Sequence, residues 1–267
     1  MSGPEPDVLV QITDAVRERL AHEPPPVGLE QRAREAAGVR RRGGRRSLLA
    51  ALAAPGVRVI AECKRRSPSA GWLRQPFEPL ELVRAYAAGG AAALSIVTEP
   101  RFFAGQAGWV PVARQVVALP VMQKDFLLAP SQLHEAVILG ADAVLLIARV
   151  LPGGLLAEML TVAEELGLEV LLELHDERDL ERALELRAPL LGVNSRDLRT
   201  FRVDADAAAA LAARVPPDRV VVIESGIASP DDVRRMLGRG LRHFLVGEHL
   251  LRAADPAAAL AALVACG

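Results

Sequence analysis

Seven apolar stretches of this chain end in residues that can move protons or hold an anion. "VRVIAECK" closes on Glu62 and Lys64, and "PVMQKD" on Lys124 and Asp125. "EVLLE" ends in Glu173, "LLGVNSR" in Asn194 and Arg196, and "VVVIES" in Glu224 and Ser225. "HFLVGE" ends in Gly247 and Glu248, and "AALSIVTE" leads to Thr98 and Glu99. One such ending is ordinary, because any strand leaving a core turns polar. Seven of them, behind largely apolar beginnings, point to one mouth where glutamates and lysines meet. Buried charges persist there only if they pair. Such pairs tune one another's pKa values towards acid–base chemistry. Glu62 and Lys64 are two apart on a strand and so share a face, while Cys63 points the other way, into packing.

The elements that must position these groups repeat regularly. Short β-branched runs occupy 57–62, 92–97, 120–124, 142–147, 169–173, 190–194, 220–224 and 243–247. Amphipathic stretches such as "PLELVRAYAAG", "PSQLHEAVILG" and "ERDLERALELR" lie between them, with helix signals at their ends. Strand–helix alternation predicts a parallel sheet with helical crossovers. A doubly wound open sheet would have fewer strands and a glycine-rich first turn. With eight strands and no GxGxxG, the expectation is a closed (β/α)8 TIM barrel over 56–267, an α/β fold whose active site lies at the carboxyl ends of the strands. Residues 1–55 read as a helical N-terminal extension packing on that barrel, with helices at 7–20, about 28–37 and in "SLLAALAA".

Composition narrows the classes further. The 51% hydrophobic content supports a large core, and 3% aromatics makes that core Leu, Val and Ala. Lys and Arg total 32 against 33 Asp and Glu, which gives no general drive towards nucleic acid or membrane. The run "GVRRRGGRRS" is the local exception and reads as a solvated linker rather than a nucleic-acid patch. Cys63 and Cys266 have no metal spacing, and no spanning or signal segment is evident, so a soluble cytoplasmic protein is expected. In many barrels the loops after the last two strands hold a phosphate. In this chain those loops are "ESGI" and "VGEHL", where Gly226 and Gly247 let backbone N–H groups approach an anion and a short helix start adds its dipole. Lys64 and Ser67 are available from the opposite side.

The segments "AECKRRSPSAG", "AALSIVTEPRFFAG", "QKDFLLAPSQLHEAVILGADAVLLI", "LLELHDERDLERAL", "LGVNSRDLRTF", "VIESGI" and "FLVGEHLL" together resemble indole-3-glycerol phosphate synthase, from about residue 8 to the C-terminus. The resemblance implies a carboxy-lyase of tryptophan biosynthesis acting on 1-(2-carboxyphenylamino)-1-deoxyribulose 5-phosphate. The aryl carbon bearing the carboxylate attacks the ribulose carbonyl, then CO2 and water leave to give the indole. No metal or other cofactor is implied. Lys124 matches the general acid, and Glu173 and Lys64 match the pair that completes dehydration, with Glu62 close enough to assist. Asn194 and Ser225 match substrate-orienting positions, and Glu224 a further carboxylate of the site. Phe103 and Phe126 fall where aromatics flank the aryl ring, core packing being an equal reading of Phe126. Arg196 holds the anthranilate carboxylate or structures its loop. Ser67, Gly226, Gly247 and Glu248 match the phosphate cradle, with Lys64 beside them, and "RRSPSAG" matches a mobile loop folding over it.

Three positions depart from the family's usual pattern. Ser195 replaces Asn, His249 stands at a normally small position on the phosphate rim, and Gln123 replaces Arg on a face turned from the mouth. They leave room for a copy dedicated to a secondary-metabolite pathway. A Schiff-base lyase is the main rival, but glutamates around a lysine raise its pKa rather than lower it. An isomerase with a cysteine base fits poorly with Cys63 facing outward, and a non-catalytic barrel fits poorly with the full set of charges. The expected partner is a small phosphorylated molecule, with the protein a monomer or a homodimer.

Overall fold

Alternation along the short runs sends every second side chain to each face, and in the structure those two faces become two cores. The structure, a computed structural model, describes residues 7–43, 45–196 and 203–267. Gly44 of the Arg/Gly run and residues 197–201 of "LGVNSRDLRTF" therefore lie outside the described residues. The strands are β1 (Arg58–Cys63), β2 (Arg66–Ser67), β3 (Gly71–Trp72), β4 (Ala93–Val97), β5 (Val121–Lys124), β6 (Ala143–Ile147), β7 (Glu169–Leu174), β8 (Leu190–Asn194), β9 (Val220–Glu224) and β10 (His243–Val246). Eight of them close a parallel barrel in the order β1-β10-β9-β8-β7-β6-β5-β4, with β4 back on β1. The helices are α1 (Val8–His22), α2 (Leu29–Gly43), α3 (Leu48–Ala53), α4 (Pro79–Ala88), α5 (Trp109–Val116), α6 (Pro130–Leu139), α7 (Gly153–Leu166), α8 (Glu177–Glu185), α9 (Ala205–Ala212), α10 (Pro230–Leu237), α11 (Glu248–Arg252) and α12 (Pro256–Val264).

Outward-facing Val59, Ala61, Cys63, Ile96 and Leu172 pack under the surrounding helices. Inward-facing Ile60, Met122, Leu145, Leu171, Val222 and Leu245 fill the barrel, so its lower half is a packed core and not a pore. Leu48 and Leu52 of α3 join that inner cluster and plug the amino-terminal end of the barrel. Each is fully buried, worth roughly 1.5–3 kcal/mol in transfer free energy. The extension thus reaches both ends of the barrel. α1 places Val8, Leu9 and Ile12 at the mouth, α2 runs along α6 and α7, and α3 closes the bottom.

Two expectations need correction. α2 continues through the arginine run to Gly43, and the run is not a solvated linker. Asp142, just before β6, and Glu169, the first residue of β7, are buried carboxylates, and a buried carboxylate must be paired. Asp142 takes Arg40 Nη2 at 3.2 Å, Arg114 Nη1 at 2.5 Å and the backbone N–H groups of Arg46 and Val121. Glu169 takes the Ser47 hydroxyl at 2.7 Å and the Leu49 N–H at 2.9 Å, with Arg45 at 3.5 Å. Arg46 donates to the carbonyls of Val117, Leu119 and Arg114. The arginines are therefore the bolts that fix the extension to the bottom of the barrel. Second, the "RRSPSAG" segment is not plain loop: β2 and β3 pair as a two-residue hairpin that buries Ser67. Arg65 and Arg66 stack over the half-exposed Trp72 at 5.1 and 5.9 Å.

Candidate active site

The carboxyl ends of the strands surround a cavity of about 550 Å³, and every residue to which the resemblance gave a site role lines it, while Thr98 does not. β1 contributes Glu62 and Lys64, whose Nζ and Oε2 lie 2.5 Å apart. β5 contributes Lys124, whose Nζ stands 3.5 Å from Glu173 Oε2 of β7 and 3.6 Å from Glu224 Oε2 of β9. Asn194, ending β8, donates from Nδ2 to Glu173 Oε1 at 3.2 Å. Its Oδ1 accepts the Ser225 hydroxyl at 3.1 Å and the Arg196 N–H at 3.0 Å. Asn194 therefore ties three strand ends into one arrangement. The carboxylates here differ from those at the bottom in one respect. Asp142 and Glu169 are saturated with donors, whereas both Glu224 oxygens are buried with no hydrogen-bond partner among the described residues.

Backbone space decides where the carboxylates sit. A Cβ on Gly192 would run into Glu224 Oε1, and one on Gly247 into Glu62 Oε2. Each inward-facing glycine makes room for the glutamate of a neighbouring strand, since β8 pairs with β9 and β10 with β1.

The electrostatics follow from this crowding. Burial alone would lower the Lys124 pKa, but Glu173, Glu224 and Glu62 outweigh it and hold the ammonium above its ordinary value. Burial pushes Glu62 up, yet Lys64 and then Lys124 draw it below the usual carboxylate range. Burial likewise opposes ionisation of Glu173, and Lys124, His175 and Asn194 overcome it, so Glu173 is the firm carboxylate of the cluster. Glu224 goes the other way: burial and the Glu173 charge push it up to about 8 against the pull of Lys124. Two glutamates within reach of one lysine are thus split into a carboxylate and a neutral acid. This is the division of labour that acid–base catalysis uses. Cys63, buried against the outer helices, has its thiol pKa raised by desolvation and stands outside the site.

Around this centre, Phe103 and Phe126 face each other with ring centroids 6.1 Å apart. Ser67 Oγ accepts the Ala70 N–H at 3.1 Å within the hairpin. Arg196 Nη2 lies 3.9 Å from Glu248 Oε2, and Glu248 also holds Arg252 at 3.0 Å. His249 lines the cavity, while Ser195 turns away and donates to the Glu224 carbonyl at 3.0 Å. Gln123 is buried on the outer face and donates to Thr98 Oγ1 at 3.1 Å. Among the described residues no group of three or more His, Cys, Asp or Glu side chains is placed to hold a metal ion, and no helix is long and apolar enough to cross a membrane.

Some contributions escaped sequence reasoning. Glu99 reads as a strand-end acid, but its carboxylate is taken by the N–H groups of Arg101, Phe102 and Phe103 at 2.9, 2.6 and 3.0 Å, fixing the turn that presents Phe103. The α1 residues on the cavity wall gave no signal beyond helical period. His175, behind Glu173, did have a signal: its offset of two from Glu173 repeats that of Lys64 from Glu62.

A closed parallel barrel with a lysine–glutamate cluster at its mouth defines a (β/α)8 enzyme built for proton transfer. The chain belongs to the indole-3-glycerol phosphate synthase family, whose model matches residues 9–263. These are carboxy-lyases of tryptophan biosynthesis. A relative of that name from Leptothrix cholodnii is 47% identical over 84% of this chain and 86% of its own length. Another from Paracidovorax citrulli is 42% identical over 97% and 99%. In solved structures the same fold recurs in a thiamine phosphate pyrophosphorylase from Pyrococcus furiosus (TM-score 0.61, 19% identity, 79% of this chain and 95% of that one). It recurs too in a 3-hexulose-6-phosphate synthase (TM-score 0.62, 17% identity, 78% and 99%).

Proposed function

We propose that the chain closes the indole ring of 1-(2-carboxyphenylamino)-1-deoxyribulose 5-phosphate, releasing CO2 and water to give indole-3-glycerol phosphate, with Lys124 as general acid. The observation that carries the assignment is the placement of Lys124 Nζ at 3.5 and 3.6 Å from two buried glutamates at the cavity floor. The aryl carbon that bears the carboxylate adds to the ketone while Lys124 gives its proton to the ketone oxygen. Loss of CO2 returns the bonding electrons to the ring. Glu173 then removes a proton from the methylene carbon beside the nitrogen, and Lys64, held by Glu62, gives a proton to the departing hydroxyl. The order is coherent electrostatically. The Lys124 charge that keeps Glu173 a weak base disappears once the proton has been given, so Glu173 becomes a stronger base when the next step needs one. The raised Lys124 pKa favours this acid role over a Schiff-base nucleophile.

On this reading Asn194 and Ser225 orient the substrate, Phe103 and Phe126 flank its aryl ring, and Arg196 meets the anthranilate carboxylate. Neutral Glu224 keeps a second proton beside Lys124. Lys64, Ser67, Gly226, Gly247 and the backbone at Glu248 receive the phosphate. Residues 1–55 serve as an extension to a catalytic barrel of 56–267, and the protein works in the cytoplasm. A fluorescence assay of indole formation tests the assignment. Lys124→Ala should lower kcat by roughly 10²–10⁴-fold, the range of a lost general acid. Turnover at the wild-type rate in that variant, or a borohydride-trapped adduct on Lys124, would overturn it.

A further inference from the structure

Next to Glu173, the mechanism above leaves a buried titratable side chain unused. His175 is two residues beyond Glu173, and its ring is only 4% exposed. Both ring nitrogens are buried, and neither makes an aligned hydrogen bond among the described residues. Leaving an imidazole so placed costs free energy, yet Nε2 stands 3.1 Å from Glu173 Oε1. We propose that His175 is a positioning residue that holds the Glu173 carboxylate, through the contact of Nε2 with Oε1, in the orientation from which it removes the proton during dehydration. The inference rests on the assignment of Glu173 as that base.

Three observations carry it. Glu173 Oε2 faces Lys124 at 3.5 Å and Oε1 faces Asn194 Nδ2 at 3.2 Å, so the imidazole, which is not among the residues that line the cavity, adds a second group on Oε1. With Nε2 beside a carboxylate oxygen, which can only accept, the tautomer carrying its proton on Nε2 is assigned. The ring is itself fixed from outside the barrel. Asp179 of α8 accepts the His175 backbone N–H at 3.1 Å and lies 3.9 Å from Nδ1. Arg149, after β6, holds Asp179 at 3.7 Å and Asp176 at 3.0 Å. A line of contacts thus runs from the surface through Asp179 and His175 to the base. His175 and Asn194 also favour the charged form of Glu173, and so support its separation from neutral Glu224.

The test compares His175→Leu, His175→Gln and His175→Asn with wild type by steady-state turnover, with thermal melts alongside. A glutamine amide reaches the Nε2 position and restores a donor to Oε1; an asparagine amide falls short of it. Leucine should lower kcat roughly 10- to 100-fold, the scale of a misplaced catalytic group, with KM within about twofold. Glutamine should recover most of kcat, and asparagine should not. Wild-type kcat in the leucine variant, a glutamine variant no better than asparagine, or a fall in kcat matched by a rise in KM would each overturn the proposal. If leucine fails to fold, the order of glutamine over asparagine still decides. Glu173→Gln separates the two layers. If it keeps full activity, the base assignment itself is wrong; if it is inactive while His175→Leu is fully active, only the positioning role falls.

Discussion

Glu224 has a protonation that can be read out without substrate. Its carboxyl is raised from 4.5 in the open chain to about 8 in the fold, because burial and the neighbouring Glu173 charge disfavour ionisation. A group whose pKa rises on folding contributes stability that is complete below the unfolded value. That contribution is lost as pH climbs through the folded one. Wild type should therefore lose ground to Glu224→Gln, a mimic of the neutral acid, between pH 4.5 and about 8 by up to a few kcal/mol. Above that the gap should be flat. Melting temperatures of the pair across pH 4–9 check this; a gap that does not change with pH would mean Glu224 is ionised in the fold. At this scale the sequence was readable where alternation fixes direction, as with Glu62, Lys64 and outward Cys63. It was not readable where a carboxylate spends its oxygens on its own turn. Glu99 looks like Glu173 in a string of letters, and only the three N–H groups on it tell them apart.

Elements set the geometry through what they omit. Strand positions were legible to within a residue or two, because a period of two ended by charge has few alternative readings. The hairpin of β2 and β3 was not, since two residues per strand give no period to detect. Nor was the length of α2, because its last turns carry arginines that a hydrophobic pattern counts as solvent. Gly192 would ordinarily be read as a weak point in a strand. In the barrel it is the space that Glu224 occupies. Gly192→Ala should evict the flexible carboxyl rather than the backbone. A kcat lowered about tenfold or more with KM and fold retained is the expectation, checked by turnover and circular dichroism. Unchanged turnover would mean that the Glu224 position is immaterial to the chemistry.

Across the molecule, the same kinds of residue have opposite employments at the two ends of the barrel. At the mouth, charges are left partly unsatisfied around a cavity; at the bottom they are saturated and hold the extension down. Arg40→Met keeps the volume but removes one cation from fully buried Asp142. It should lower unfolding free energy by about 2 kcal/mol or more in urea titrations, while folded enzyme keeps its kcat. A loss of kcat at full stability would contradict this separation of roles. The barrel was legible from strand count and spacing. The bolting of the extension was not, because its partners are distant in the chain. Arg40 meets Asp142 across 102 positions, and Ser47 meets Glu169 across 122. That distance has a consequence during synthesis. The three helices leave the ribosome before the barrel does, so the carboxylates they bolt to, and the barrel interior that Leu48 and Leu52 plug, are translated after them. Until β6 and β7 have been made, Arg40 and Ser47 have no carboxylate to meet. Arg40 has no carboxylate to pair with until Asp142 is made, so the helix that carries it can take its seat only after the strands that form that seat.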